Sequence, residues 1–285
     1  MSNPLGRLYV VATPIGNLGD ISARAIDTLN AVDLICAEDT RHSARLLAHL
    51  GIKAKLQSLH EHNEADRVGR ILTCLEAGES VALISDAGTP LISDPGYRLV
   101  RAARQAGFEV LAVPGPSSVV AALSVAGLPT DRFFFEGFLP ARSAARRRRL
   151  EGLSAQRHTL VFLEAGRRVP EALDDLADIL GAEREGAICR ELTKRFETTR
   201  AGPLAELAGW VREDPAQTRG EFVILVGPAP AGNAPPIGTL PDTDTLLQML
   251  RGEGLGAKAA ARVTARITGE SANALYDRAV REGRS

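Results

Sequence analysis

The chain has 285 residues, enough for two domains and a small third. A formal net charge of -1 excludes a wholesale nucleic-acid coat protein but leaves room for a local basic patch. Three scattered cysteines without a CxxC exclude a disulfide framework and a cysteine zinc site, and no apolar run nears the ~20 residues of a membrane span, so the expectation is a soluble cytoplasmic protein.

Leu8-Tyr9-Val10-Val11-Ala12 is an apolar, β-branched run that reads as a strand and ends in a turn-rich loop, Thr13 to Asp20. Ile21 to Asn30 reads as a helix with Ser22 as a candidate N-cap. Val32 to Ala37 is a second strand, ending at Glu38-Asp39-Thr40-Arg41-His42, which is either a functional cluster or a surface ion pair. Ser43 to Leu50 is a helix closed by Gly51, and Asn63 to Ala77 another stopped by Gly78. His60-Glu61-His62-Asn63-Glu64 concentrates polar side chains as a site, or as a helix start capped by Asn63. Val81 to Ile84 is a short buried strand. The twelve residues after it, Ser85 to Gly96, are more turn-forming chain than a strand-to-helix connection needs, which points to function. A helix from Tyr97, a strand over Phe108 to Val113, and Pro114-Gly115-Pro116-Ser117-Ser118 opening a helix from Val119 complete this half. The free N–H groups of that helix start suit a polar ligand group, and Ser117 or Ser118 suits an N-cap equally.

Alternation of strands and helices predicts an α/β fold with a mostly parallel sheet. Loops Thr13 to Gly16, Asp86 to Thr89 and Pro114 to Ser118 all follow strands, so neighbouring strands would line one crevice with them. In the second half, Phe133 to Pro140, Thr159 to Leu163, Gly186 to Arg190 and Glu221 to Val226 read as strands, and Pro170 to Leu180 as a helix, with the sheet order unreadable. Arg190 to Lys194 ends its strand with charges. Arg146, Arg147, Arg148 and Arg149 form a dense cationic run. Either a helix face solvates them or a polyanion neutralises them, and their mutual repulsion favours phosphate. Residues 1–118 are expected as one α/β domain, 119–228 as a second, 229–241 as a Pro/Gly/Ala-rich linker and 242–285 as a small helical appendage. Lys258, Arg262 and Arg266 recur every four residues on the appendage's second helix, as an RNA-facing stripe or a solvated face. No G-x-G-x-x-G, P-loop, H-E-x-x-H or G-x-S-x-G setting appears, and no metal spacing.

Together, Leu8 to Leu18, Ala37 to Arg41, Leu59 to Glu64, Ser85 to Gly96, Val113 to Ser118, Phe135 to Pro140 and Arg190 to Lys194 resemble one family, from Leu8 to about Gly227. It is the ribosomal RNA small subunit methyltransferase I family, cytidine 2′-O-methyltransferases of the tetrapyrrole methylase superfamily. Ser85-Asp86-Ala87 stands where many superfamily members have Gly-Asp-Pro, which follows the ribosomal branch. The resemblance implies two α/β domains with S-adenosylmethionine in the cleft between them. The cofactor residues it implies are Pro14, Ile15 and Gly16; Asp86, Ala87, Gly88 and Thr89; Ser117 and Ser118; and Glu164 and Leu192. It implies a homodimer acting on the decoding region of 16S ribosomal RNA, with the appendage helping to bind RNA, and neither DNA nor membrane as partner. A sulfonium methyl needs alignment with the attacking 2′-oxygen, and a ribose hydroxyl benefits from a base. Glu38, Asp39, His60, Glu61 and Asp94 are the candidate bases, while Lys194 or Arg41 suits a flanking phosphate. The competing readings are a superfamily enzyme that methylates a tetrapyrrole or protein side chain, and a nonenzymatic RNA-binding factor.

Overall fold

The computed structural model describes residues 5–230 and 242–282. It divides into a large unit ending at Pro230 and a small helical unit. The large unit opens with β1 (Arg7–Val11), α1 (Ala23–Ala31), β2 (Leu34–Ala37), α2 (Thr40–His49), β3 (Lys55–Ser58), α3 (Glu64–Glu76), β4 (Val81–Ile84), α4 (Tyr97–Gln105) and β5 (Glu109–Val113). All five strands run parallel in the order β3-β2-β4-β1-β5. Period-two alternation buries both faces: Leu8, Cys36 and Leu83 face one core with Ile71, Leu75 and Leu99, while Val11, Ile35 and Ile84 face the other with Ala25, Leu29 and Leu47. The chain leaves β1 toward β2 on one side and β4 toward β5 on the other. A crevice therefore opens beyond the C-terminal ends of β4 and β1.

Three local expectations change. The helix expected from Ser43 begins at Thr40, because the Asp39 carboxylate caps it, accepting from Arg41 N–H at 2.8 Å. Asn63 occupies the expected cap position of α3, but its Oδ1 accepts from His60 N–H at 2.9 Å instead of capping the helix. Strand β3 is a polar edge strand, Lys55-Leu56-Gln57-Ser58, whose sequence lacks the apolar run that marks the buried strands.

The large unit continues through α5 (Ser118–Val125), β6 (Phe133–Phe138), α6 (Ser143–Glu151), β7 (Thr159–Ala165), α7 (Val169–Leu180), β8 (Glu185–Arg190), β9 (Thr198–Pro203), α8 (Leu204–Glu213) and β10 (Glu221–Val226). This second sheet has the order β6-β7-β10-β8-β9, with β6 and β7 parallel and the other pairs antiparallel. One face packs Leu160, Phe162 and Ile224 against Leu173, Leu176 and Leu207. The other packs Val161, Cys189, Val223 and Leu225 against α5 and against Ile15 of the first loop. Ile15 thus carries the end of β1 into the core of the second sheet.

Three of the four arginines of the run on α6 have carboxylate partners within the protein. Arg146 is 1% exposed. Its Nε lies 2.7 Å from Asp175 Oδ2. Arg147 Nη1 lies 2.7 Å from Asp175 Oδ1 and 3.0 Å from Asp178. Arg149 grips Glu136 with two contacts of 2.6 Å. For Arg146, Arg147 and Arg149 the nearest anions are the protein's own carboxylates, and Arg146 is a buried ion-pair residue instead of a surface contact for RNA, while Arg148 lies exposed on the same helix. Burial pushes the Asp175 carboxyl up, but Arg147 and Arg146 outweigh it and hold it below its ordinary value.

The small unit is α9 (Thr243–Gly252), α10 (Ala257–Thr268) and α11 (Ala272–Glu282), packed on Leu247, Ala260, Ala261, Leu275 and Ala279. Lys258, Arg262 and Arg266 lie exposed on α10, away from its buried Ala260, Ala261 and Thr264. Two other basic residues there are structural: Arg251 donates to the Ala279 carbonyl, and Arg278 pairs with Asp244 and Glu270. Most of the expected linker, residues 231–241, lies outside the described residues. Among those described, no helix is long and apolar enough to cross a membrane.

Candidate active site

Strands β4, β1 and β5 are adjacent, so the three loops singled out in the sequence meet at one edge of the first sheet. Thr13 and Gly88 exchange backbone hydrogen bonds of 2.9 and 3.0 Å. Ser85 Oγ donates to Gly88 O at 3.1 Å, and Thr89 Oγ1 donates to Pro116 O at 3.0 Å. Gly88, Thr89 and Ser117 therefore line neither lobe of the cleft described next; Gly88 and Thr89 brace its wall, and Ser117 starts α5. Gly88 holds φ +86°, which a side chain rarely adopts.

The cleft between the sheets has two lobes. The deeper, of about 380 Å³, has an apolar floor of Leu163, Leu192, Phe222 and Val223, with Ile15, Asp86, Ala87, Asp94, Ser118 and Glu164 around it. The other, of about 340 Å³, is lined by Pro14, Gly16, His42, Arg45 and Lys194. Ile15, Asp86, Ala87, Lys194 and Glu221 belong to both, so the lobes are continuous. A Cβ on Gly16 would stand 2.4 Å from Lys194 Cγ, which shows how closely the first loop presses on the loop after β8.

Four non-glycine residues have positive φ among those described, and all four flank this cleft. They are Leu91 (73°) and Ser93 (65°) on one side, and Glu191 (48°) and Thr193 (65°) on the other. In each loop the residue between them and the one after line the lobes: Ile92 and Asp94, Leu192 and Lys194. Such conformations cost on the order of 1–3 kcal/mol each, persist only where the surroundings impose them, and cluster at functional sites. Here they turn two pairs of side chains inward.

Of the five candidate bases, Asp94 alone lines a lobe. Burial, reinforced by Glu38, pushes its carboxyl up to about 6. Glu38 is raised by burial and by Asp86, with His60 opposing. His60 itself is held by Asn63 at 3.0 Å. Asp39 is a helix cap kept below its ordinary value by the Arg41 N–H, and Glu61 is exposed outside both lobes. Asp86 faces both lobes and accepts from Asp39 N–H at 3.1 Å, which ties the end of β2 to the cleft wall.

Glu164 is buried at the wall of the deeper lobe. Burial pushes its carboxyl up, opposed by the Ala165 N–H at 2.9 Å and the Arg168 guanidinium at 3.0 Å. Lys194 lies 2.8 Å from Glu191 and 2.9 Å from Glu221. Burial pulls its ammonium down, but the two carboxylates outweigh it and keep the lysine charged. Arg41 is almost fully exposed beside Asp39. The sequence reading placed His42 in the polar cluster after β2 without a role, and it passed over Arg45, which looks like any charged residue on the helix that follows. It also missed Phe222 and Val223, which look like ordinary strand core.

A family model for Tetrapyrrole (Corrin/Porphyrin) Methylases matches residues 7–208, and one for the RsmI C-terminal HTH domain matches residues 238–283. The ribosomal RNA small subunit methyltransferase I of Pseudomonas aeruginosa is 53% identical over 283 residues, covering 98% of this chain and 99% of that protein. That of Xylella fastidiosa (strain Temecula1) is 54% identical over 276 residues, covering 97% and 99%. Among solved structures, uroporphyrin-III-C-methyltransferase from Thermus thermophilus aligns with a TM-score of 0.56 at 23% identity, covering 78% of this chain and 94% of that one. The enzyme complexed with S-adenyl homocysteine aligns at 0.54 and 19% identity, covering 78% and 97%. Similarity at that level establishes the shared fold.

Proposed function

The chain belongs to the ribosomal RNA small subunit methyltransferase I family of tetrapyrrole (corrin/porphyrin) methylases, and we propose that it methylates the ribose 2′-oxygen of a cytidine in the decoding region of small-subunit ribosomal RNA. The methyl donor of this family is S-adenosylmethionine. The residues of the deeper lobe fit that donor: an apolar floor for a flat base, and the carboxylates of Asp86 and Glu164 for hydroxyls and for positive charge. We assign Pro14, Ile15, Gly16, Asp86, Ala87, Ser118, Glu164 and Leu192 to contact with it, and Gly88, Thr89 and Ser117 to support of those contacts.

One observation carries the reaction. Asp94 is the single candidate base that lines the cleft, and its carboxyl is held near 6. A base of that strength is mostly ionised at neutral pH yet still accepts a proton usefully. When bound, the donor supplies a methyl already activated as a sulfonium. Asp94 then has one task, to take the 2′-hydroxyl proton as the oxygen attacks. Burial, helped by Glu38 and Asp86, keeps its carboxyl raised, and the inward turn at Ser93 aims it. Arg45 lines the adjoining lobe beside His42, and Arg41 lies nearby on the same helix, so this side of the cleft offers guanidinium groups to the flanking phosphates, while Lys194 is shared with Glu191 and Glu221.

The exposed stripe Lys258, Arg262 and Arg266 extends RNA contact to the small unit, and the chain works as a homodimer in the cytoplasm. The reading is tested by incubating the protein with S-adenosylmethionine bearing a deuterated methyl and with unmodified small ribosomal subunits, followed by mass spectrometry of the nucleosides. Labelled 2′-O-methylcytidine is the expected product. Label on a base, or none in RNA, would overturn the assignment.

A further inference from the structure

Beside the cleft, the loop from β8 to β9 and the turn ahead of β10 enclose a separate concavity of about 670 Å³, lined by Arg190, Arg195, Phe196 and Arg219 together with Gln217. Gly220 belongs to both this hollow and the deeper lobe, so the two are contiguous. Phe196 is 63% exposed, an unusual position for a large apolar ring, and the Arg195 guanidinium stands 5.5 Å from its centroid.

The two acids of the hollow are turned to other uses. Glu191 accepts from Lys194 Nζ at 2.8 Å and from Glu221 N–H at 2.9 Å, while Glu197 accepts from Thr193 N–H at 2.7 Å. Arg195 and Arg219 remain exposed. Arg190 fixes the shape from beneath: its Nε donates to Arg219 O at 2.8 Å and its Nη1 to Phe196 O at 3.4 Å, which ties the two loop tips together.

An exposed aromatic ring with one guanidinium against it and others lining the same hollow is a combination that holds single-stranded nucleic acid, because every base has a π-face and every linkage a phosphate. Resting on the RNA reading above, we propose that this hollow receives the unpaired nucleotides next to the methylated one, with a base stacked on Phe196 and phosphates against Arg195 and Arg219. A duplex offers no free base face to Phe196, so the segment bound here is unpaired.

The test uses the full chain with Phe196→Ala and, separately, Arg195→Gln combined with Arg219→Gln. Direct binding to a fluorescent single-stranded oligonucleotide of the target region is read by anisotropy across a salt series, beside methyl transfer, calorimetric binding of S-adenosylmethionine and sedimentation. Phe196→Ala is expected to weaken oligonucleotide binding roughly tenfold. The double variant is expected to flatten the salt dependence by about 0.7 per lost arginine. KM for RNA should rise with kcat and cofactor affinity unchanged. Wild-type oligonucleotide binding in both variants overturns the proposal even if the protein methylates RNA. Affinity that falls only because the variants change oligomeric state overturns it in favour of an interface between copies. Absence of transfer by the unaltered protein, with the binding differences intact, rejects the methylation reading and leaves the strand site standing.

Discussion

Asp94→Asn is the most informative substitution, because it separates catalysis from stability. With a carboxyl near 6, Asp94 is about nine-tenths ionised at pH 7 and about one-tenth ionised at pH 5. The wild-type single-turnover rate should therefore fall tenfold per pH unit below 6 and level off above it. Loss of a positioned base costs roughly 10²- to 10⁴-fold. The Asn variant should lose that much at pH 7.5 and show a flat profile from pH 5 to 8. Stability should move the other way. The folded carboxyl sits above its unfolded value, so the folded chain holds the proton more tightly. Its contribution is complete below about pH 4 and is lost as pH rises through about 6. At pH 8 wild type carries a partly buried charge near Glu38 and Asp86 that Asn lacks, so the variant should melt no lower than wild type. Rapid-quench transfer of a labelled methyl and thermal melts across the pH range read both effects. A near wild-type rate, or an unchanged pH profile in the variant, would refute the role of Asp94. A lower melting temperature would make it structural.

Arg146→Met leaves the Asp175 carboxylate in a buried site with only Arg147 and the Ser143 hydroxyl as partners. Breaking such a pair costs about 3–5 kcal/mol, read in a denaturant titration, while the salt dependence of RNA binding should stay unchanged. Replacing Lys258, Arg262 and Arg266 together by Gln should lower the salt slope of RNA binding by about 2 to 3 and leave cofactor affinity untouched, as filter binding and calorimetry would show. Thr193→Gly relieves a left-handed backbone at φ 65°. It should hold or raise the melting temperature while slowing methyl transfer, since Lys194 and Leu192 lose their imposed direction.

Four of the five strands of the first sheet are legible because they are apolar runs that end in turn-rich loops, and the loops declare themselves by Gly, Pro and Asp; the polar edge strand β3 carries no such signal. The second sheet is only half legible. Thr198 to Pro203 forms an edge strand without apolar alternation, and the helix after it packs Leu204, Leu207 and Val211 in a pattern that the sequence reading passed over. The internal partners of Arg146 and Arg147 were not legible because local charge density says nothing of counter-charges supplied from another helix: Asp175 and Asp178 lie about thirty residues downstream. The inward turns at Leu91, Ser93, Glu191 and Thr193 are invisible in sequence for a different reason. Left-handed backbone is expected at glycine or asparagine, and these side chains adopt it only because the surrounding fold imposes it. Asp94 was one of five candidate bases by composition; only the geometry of its loop sets it apart.

The cleft between the two sheets is the proposed meeting place of cofactor and ribose. Ala87 is exposed and lines both lobes, so Ala87→Trp fills the cleft without disturbing either core. Titration of S-adenosylmethionine into this variant, followed by calorimetry, is the most direct test. The expected result is a melting temperature close to wild type with binding heat and methyl transfer both abolished; wild-type affinity in the filled cleft would place the cofactor elsewhere.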